Sequence, residues 1–97
     1  MKSLSDRSQL IQEADELING DRHQNYGDAS DNFSRIATLW SSYLGHEIKM
    51  HDVGIMMALL KISRISFDHE NAKDSFVDAI GYVALAGELA VEKTEDE

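Results

Sequence analysis

The residues with chemical potential in this sequence are charged groups set inside apolar patterns. Glu13 and Glu16, three apart in "EADELI", fall on one face of a helix, and Asp74 and Asp78, four apart in "DSFVDAIGYVAL", fall on one face of another. Lys61 and Arg64 interrupt the otherwise apolar "DVGIMMALLKISR". Carboxylates divided between helices are what a metal site in a helical bundle is built from. Mg²⁺ prefers carboxylate oxygens and water, and it commonly bridges to a substrate's phosphates. Arginine adds a planar fork that matches phosphate oxygens. These residue types point to phosphate chemistry, with Glu13, Glu16, Asp74 and Asp78 as metal ligands. Lys61 and Arg64 are the catalytic candidates, neutralising charge that builds in the transition state.

A second candidate is the stretch "GDRHQNYGDA", residues 20–29. Arg22 could reach a phosphate, Tyr26 could stack on a base, and Gly27 permits close backbone approach, so Arg22 and Tyr26 are substrate-binding candidates. The plainer alternative makes Asn19-Gly20 a helix stop, Asp28 a cap and Tyr26 a packing residue. The four histidines, His23, His46, His51 and His69, lack an HExxH-type spacing, and no glycine-rich phosphate loop or Ser-His-Asp set is present.

The elements that must position these groups are helices. There is no proline, apolar residues recur at intervals of three and four, and no long stretch alternates with period two. A first helix is expected from about Ser5 to Asn19, with Leu10, Ala14, Leu17 and Ile18 as its apolar stripe. Ser30 or Asp31 can cap a second, whose face carries Phe33, Ile36, Ala37, Trp40, Tyr43 and Leu44 until Gly45 ends it. A third spans about Met50 to Ser66, with Asp52 in its first turn, where negative charge suits the helix dipole. It is apolar on more than one face, which predicts a central helix covered on several sides. "FDHENAK" (67–73) leads to a fourth, Asp74 to about Val91. The expected fold class is all-α, a compact four-helix domain over residues 1–91 with a frayed acidic tail at 92–97.

On the third helix Lys61 and Arg64 share a face with Gly54 and Met57, opposite Asp52. If the third and fourth helices form an antiparallel hairpin, Lys61 and Arg64 stand near Asp74 and Asp78. That constellation reads either as an ion-pair network fixing the hairpin's register or as a phosphate and metal site. Residue types alone favour the network.

The chain of 97 residues has 9 Lys plus Arg against 18 Asp plus Glu, a net charge of −9. This argues against direct duplex DNA binding, which requires basic residues to neutralise phosphates. It permits a metal-binding carboxylate cluster, or an acidic surface that imitates nucleic acid. The longest apolar run, "IMMALL", is too short to span a bilayer, and "MKSLSDRSQL" has no signal-peptide core, so a cytoplasmic protein is expected. With no cysteine and a short chain, a homo-oligomer is expected.

The series "NGDRHQNYGD", "NFSRIATLWSSYLG", "DVGIMMALLKISR" and "DSFVDAIGYVAL" resembles a family of small, mostly uncharacterised all-helical proteins of tailed phages and prophages, over roughly residues 10–90. More distantly it is similar to the all-α NTP pyrophosphatases, the MazG-like enzymes. That resemblance implies a helical oligomer that uses Mg²⁺ on helix-borne carboxylates to cleave nucleoside triphosphates to monophosphate and pyrophosphate. Glu13/Glu16 fits the ExxE half of the group's pattern, whereas Asp74/Asp78 is spaced by four rather than three. Arg22, Lys61 and Arg64 become phosphate contacts by analogy. The resulting expectation is a Mg²⁺-dependent nucleotide-binding protein, a nucleoside triphosphate pyrophosphohydrolase of phage nucleotide metabolism. The acidic inhibitor of a host protein is the alternative.

Overall fold

The computed structural model describes residues 5–20 and 28–91. Among them the chain forms α1 (Asp6–Asn19), α2 (Ala29–Leu44), α3 (Met50–Phe67), a short 3₁₀ turn (His69–Asn71) and α4 (Lys73–Ala90), with no strand. Except at the start of α2, each helix starts and stops within a residue or so of its sequence signals. Ser5 caps α1, its hydroxyl accepting from the Ser8 N–H at 3.3 Å. The expected cap of α2 is corrected: Asp28 holds the N-cap position, and Ser30 and Asp31 lie inside the first turn. Gly45 ends α2 in the left-handed region at φ 79°, its N–H bonded to the Ser41 carbonyl at 2.9 Å, the conformation that glycine adopts without a Cβ penalty.

At the start of α3 the Asp52 carboxylate accepts from the Lys49 backbone N–H at 2.9 Å, satisfying a donor that the helix leaves open. Asp52 therefore acts as a capping residue, facing away from Lys61 as its position on the helix requires.

The centre of the fold is the antiparallel hairpin of α3 and α4; α1 packs on α4, and α2 packs on α3. The two helices of the hairpin come very close at Gly54. A Cβ there would meet the Ala86 Cβ at 2.7 Å and the Tyr82 carbonyl oxygen at 3.0 Å. Gly81 plays the same part towards α1: a Cβ would lie 3.0 Å from Cγ2 of Ile18. Small residues thus set both contacts of α4. Phe33, Ala37 and Val53 form the core between α2 and α3, with Ile36, Trp40, Ile48, Met50, Met57, Tyr82, Leu85 and Leu89 packed around it. The Phe33 and Tyr82 rings stack at 6.4 Å, joining α2 to α4.

Two expectations are corrected. Tyr43 and Leu44 do not join the core, being 89% and 49% exposed. They lie in the last turn of α2, where only one neighbouring helix is available, and Tyr43 is at the rim of the apolar stripe. Ile48 fills that end instead, held by Ser41, whose hydroxyl accepts from the Ile48 N–H at 2.7 Å and donates to its carbonyl at 3.2 Å. Nor is α3 covered on several sides. Val53, Gly54 and Ala58 are buried, while Ile55, Leu59, Leu60 and Ile62 are exposed, because α1 lies on α4 and leaves the far face of α3 open.

Candidate functional site

The packing of α1 against α4 decides the geometry of the acidic groups. Gly81 lets α1 approach, and the faces that meet beside this contact carry Glu13 and Glu16 from α1 and Asp74 and Asp78 from α4. All four side chains line one open hollow of about 450 Å³, together with Leu17 and Val77. The two acidic pairs therefore share a site, although they are some sixty residues apart in the chain.

Lys61 reaches across from α3 and binds Asp78, Nζ to Oδ2 at 3.0 Å, with side-chain exposures of 15% and 26%. This is the pairing that an antiparallel hairpin requires, and it is the least exposed ion pair among the described residues. Arg64, one turn on, forms no ion pair among the described residues. It lines a second open hollow of about 590 Å³ with Ser63, Phe67, Asp68, Asn71, Asp74 and Asp78, so three carboxylates share that space with the guanidinium. Asp74 and Asp78 are thus a ridge shared by two hollows, one acidic and one carrying the guanidinium.

A group that residue types did not single out is Lys73. Its ammonium binds Glu13 Oε2 at 2.9 Å, tying α4 to α1 at the rim of the acidic hollow. The hydrogen bond and charge of Glu13 raise the Lys73 pKa above its ordinary 10.5, and the nearby Asp74 adds to this. A signal was available in its place immediately before Asp74, at the first position of the helix. Among the described residues Glu16 has no lysine partner; it accepts from Gln12 Nε2 at a long 3.4 Å.

The donor set is chemically suited to Mg²⁺, being all carboxylate oxygen with room for water. Among the described residues, however, no three His, Asp or Glu side chains are gathered closely enough to hold a metal ion by themselves. An ion that keeps several waters and takes one or two carboxylates plus phosphate oxygens does not require such a cage. Glu16 and Asp74 are the members not already paired with lysine; Glu13 and Asp78 would have to share. Arg22 and Tyr26 lie outside the described residues, as does the 92–97 tail. Asp28, next to that stretch in the sequence, occupies the N-cap position of α2. No helix among the described residues is long and apolar enough to cross a membrane.

Comparison with known proteins gives two similar curated relatives, both called Gene 55 protein. The chain is 41% identical over 87 residues to that of Mycobacterium phage L5, covering 89% of this chain and 55% of the relative. To that of Mycobacterium phage D29 it is 40% identical over 88 residues, covering 91% and 58%. The chain therefore spans a little over half the length of these relatives. No solved structure matches it. A family profile described as a domain of unknown function, DUF6378, matches residues 9–90. That match takes in most of α1, the whole of the other three helices and every acidic residue of the hollow, and the chain belongs to the DUF6378 family.

Proposed function

We propose that this protein binds a nucleotide together with Mg²⁺ in the hollow between α1 and α4. The observation that carries the reading is the convergence of Glu13, Glu16, Asp74 and Asp78, from two helices, on one open space with Lys61 at its edge. Glu16 and Asp74 would hold the metal directly or through water, and Arg64, across the Asp74–Asp78 ridge, would take a phosphate. The metal when bound would supply charge neutralisation at the phosphates. Lys61 holds Asp78 in place from α3, and Lys73 does the same for Glu13. The reaction we propose to look for there is the one that the motif resemblance to the all-α NTP pyrophosphatases implies, release of pyrophosphate from a nucleoside triphosphate.

The electrostatics make a sharp demand. Four carboxylates against two lysines leave the hollow negative, inside a chain of net charge −9. A bare triphosphate is repelled from such a place, so binding must depend on the divalent ion. A thermal-shift screen of nucleoside triphosphates is expected to give a rise in melting temperature with Mg²⁺ and none with EDTA. Glu16→Gln is the cleanest probe, since it breaks no lysine pair, and it should abolish the shift while the circular dichroism spectrum stays helical. Asp78→Asn should do the same at some cost in stability. Absence of any shift from every nucleotide, with and without Mg²⁺, would sink the reading and leave the lysine pairs as helix ties.

A further inference from the structure

We propose that the outward face of α3 is the contact surface for a second copy of this chain, the two α3 helices lying antiparallel across a two-fold axis near Leu59 and Leu60. The proposal does not rest on the nucleotide reading: Lys61 lies on the other side of the same helix and Leu59 and Leu60 line neither hollow, although Ser63 and Phe67 at the edge of the face also line the Arg64 hollow.

The face is laid out by spacing. At 100° per residue, Ile55, Met56, Leu59 and Ile62 point away from the buried Val53, Gly54 and Ala58, and Leu60 and Phe67 flank them. Positions 52, 55, 59, 62 and 66 alternate by three and four, the period of a helix seam that packs on another helix. The side chains are open to solvent: Ile55 is 43%, Met56 37%, Leu59 57%, Leu60 51%, Ile62 47% and Phe67 91% exposed. Together they amount to about three whole large side chains, on the order of 500 Å² of apolar surface at about 150–200 Å² each. A patch of that size is at the upper end of what monomers display. Two copies face to face would bury on the order of 1,000 Å², the threshold at which specific interfaces begin.

Charge selects the second copy over a different partner. The protein carries −9, and charged residues make up 28% of it, yet between Val53 and Leu60 α3 has no charged residue at all. A basic partner would be drawn to the acidic surfaces and not to this one. For two equally acidic chains the reverse holds: a face without carboxylates is where they can meet with least repulsion. In the antiparallel arrangement the one acid on the face, Asp52, comes opposite the partner's C-terminal half of α3, where Ser66 and Phe67 are exposed, and not opposite another Asp52. The open ends of the dipoles are also paired head to tail.

The test is sedimentation of the full chain at micromolar to hundred-micromolar concentration. The expected result is a reversible dimer, twice the 10.9 kDa of the chain. Leu59→Glu and Leu59→Lys should each shift it to monomer, dimerisation weakening at least tenfold, because like charges then meet at the axis. Mixing the two variants should restore a dimer, which a general loss of folding would not allow. A wild-type chain that stays monomeric throughout overturns the proposal and leaves the face to a different protein. A dimer indifferent to both Leu59 variants overturns it equally, by placing the interface elsewhere.

Discussion

Two lysines bind two carboxylates of the acidic hollow, and their surroundings give them different weights. The Lys61 and Asp78 side chains are only 15% and 26% exposed, so a charge left alone there is poorly hydrated. Lys61→Met is expected to cost about 1–2 kcal/mol, less than the loss from a fully buried pair. A double-mutant cycle with Asp78→Asn should give a coupling on the order of 1 kcal/mol, read from denaturant midpoints. Lys73 and Glu13 are 62% and 40% exposed, and water screens their attraction. Lys73→Met should leave the melting temperature where it was. The sign of the pH effect follows from the raised Lys73 pKa. Whatever the pair contributes is fully present below pH 10.5 and is lost only as pH climbs above it through the folded value. The difference in stability between wild type and Lys73→Met should therefore not change between pH 6 and 9, which thermal melts of the two across that range would check.

The elements were largely legible because their signals are local. Ser5, Gly45 and Asp52 each mark a helix end through one backbone group, and each sits where its type and position required. The pairing of Lys61 with Asp78 was also legible, since two apolar helices with a short connector place those faces together. What was not legible is which helix covers which. The apolar surround of α3 reads as a buried helix, but nothing local says that α1 will lie on α4. Gly54 and Gly81 carried that information, and only as missing side chains. Hence a further expectation for Gly54→Ala. Helix propensity favours the change by about 1 kcal/mol, but the new Cβ would sit 2.7 Å from the Ala86 Cβ and force the hairpin apart. Overpacking should dominate, with a net loss of about 1–3 kcal/mol by chemical denaturation. Ala86→Gly in the same chain should return part of it.

At the scale of the whole molecule, the core is small for the apolar content. Five of the eight buried apolar residues among those described are alanine, and Val53 is the largest side chain that is completely enclosed. Much of the apolar surface that could stabilise the fold is instead on the outside of α3. If a second copy covers it, folding and association are linked, and the melting temperature must rise with protein concentration. Salt then distinguishes the nature of the contact. Each copy brings −9 to the meeting. Shortening the Debye length from about 30 Å at 0.01 M to about 3 Å at 1 M removes most of their mutual repulsion, while the apolar contact itself is not screened. Dimerisation measured by sedimentation should therefore tighten, several-fold, as sodium chloride is raised from low to near-molar concentration. An association held by ion pairs between the acidic surface and the few cations would weaken over the same range. The direction of that single titration separates an apolar α3 seam from an electrostatic one.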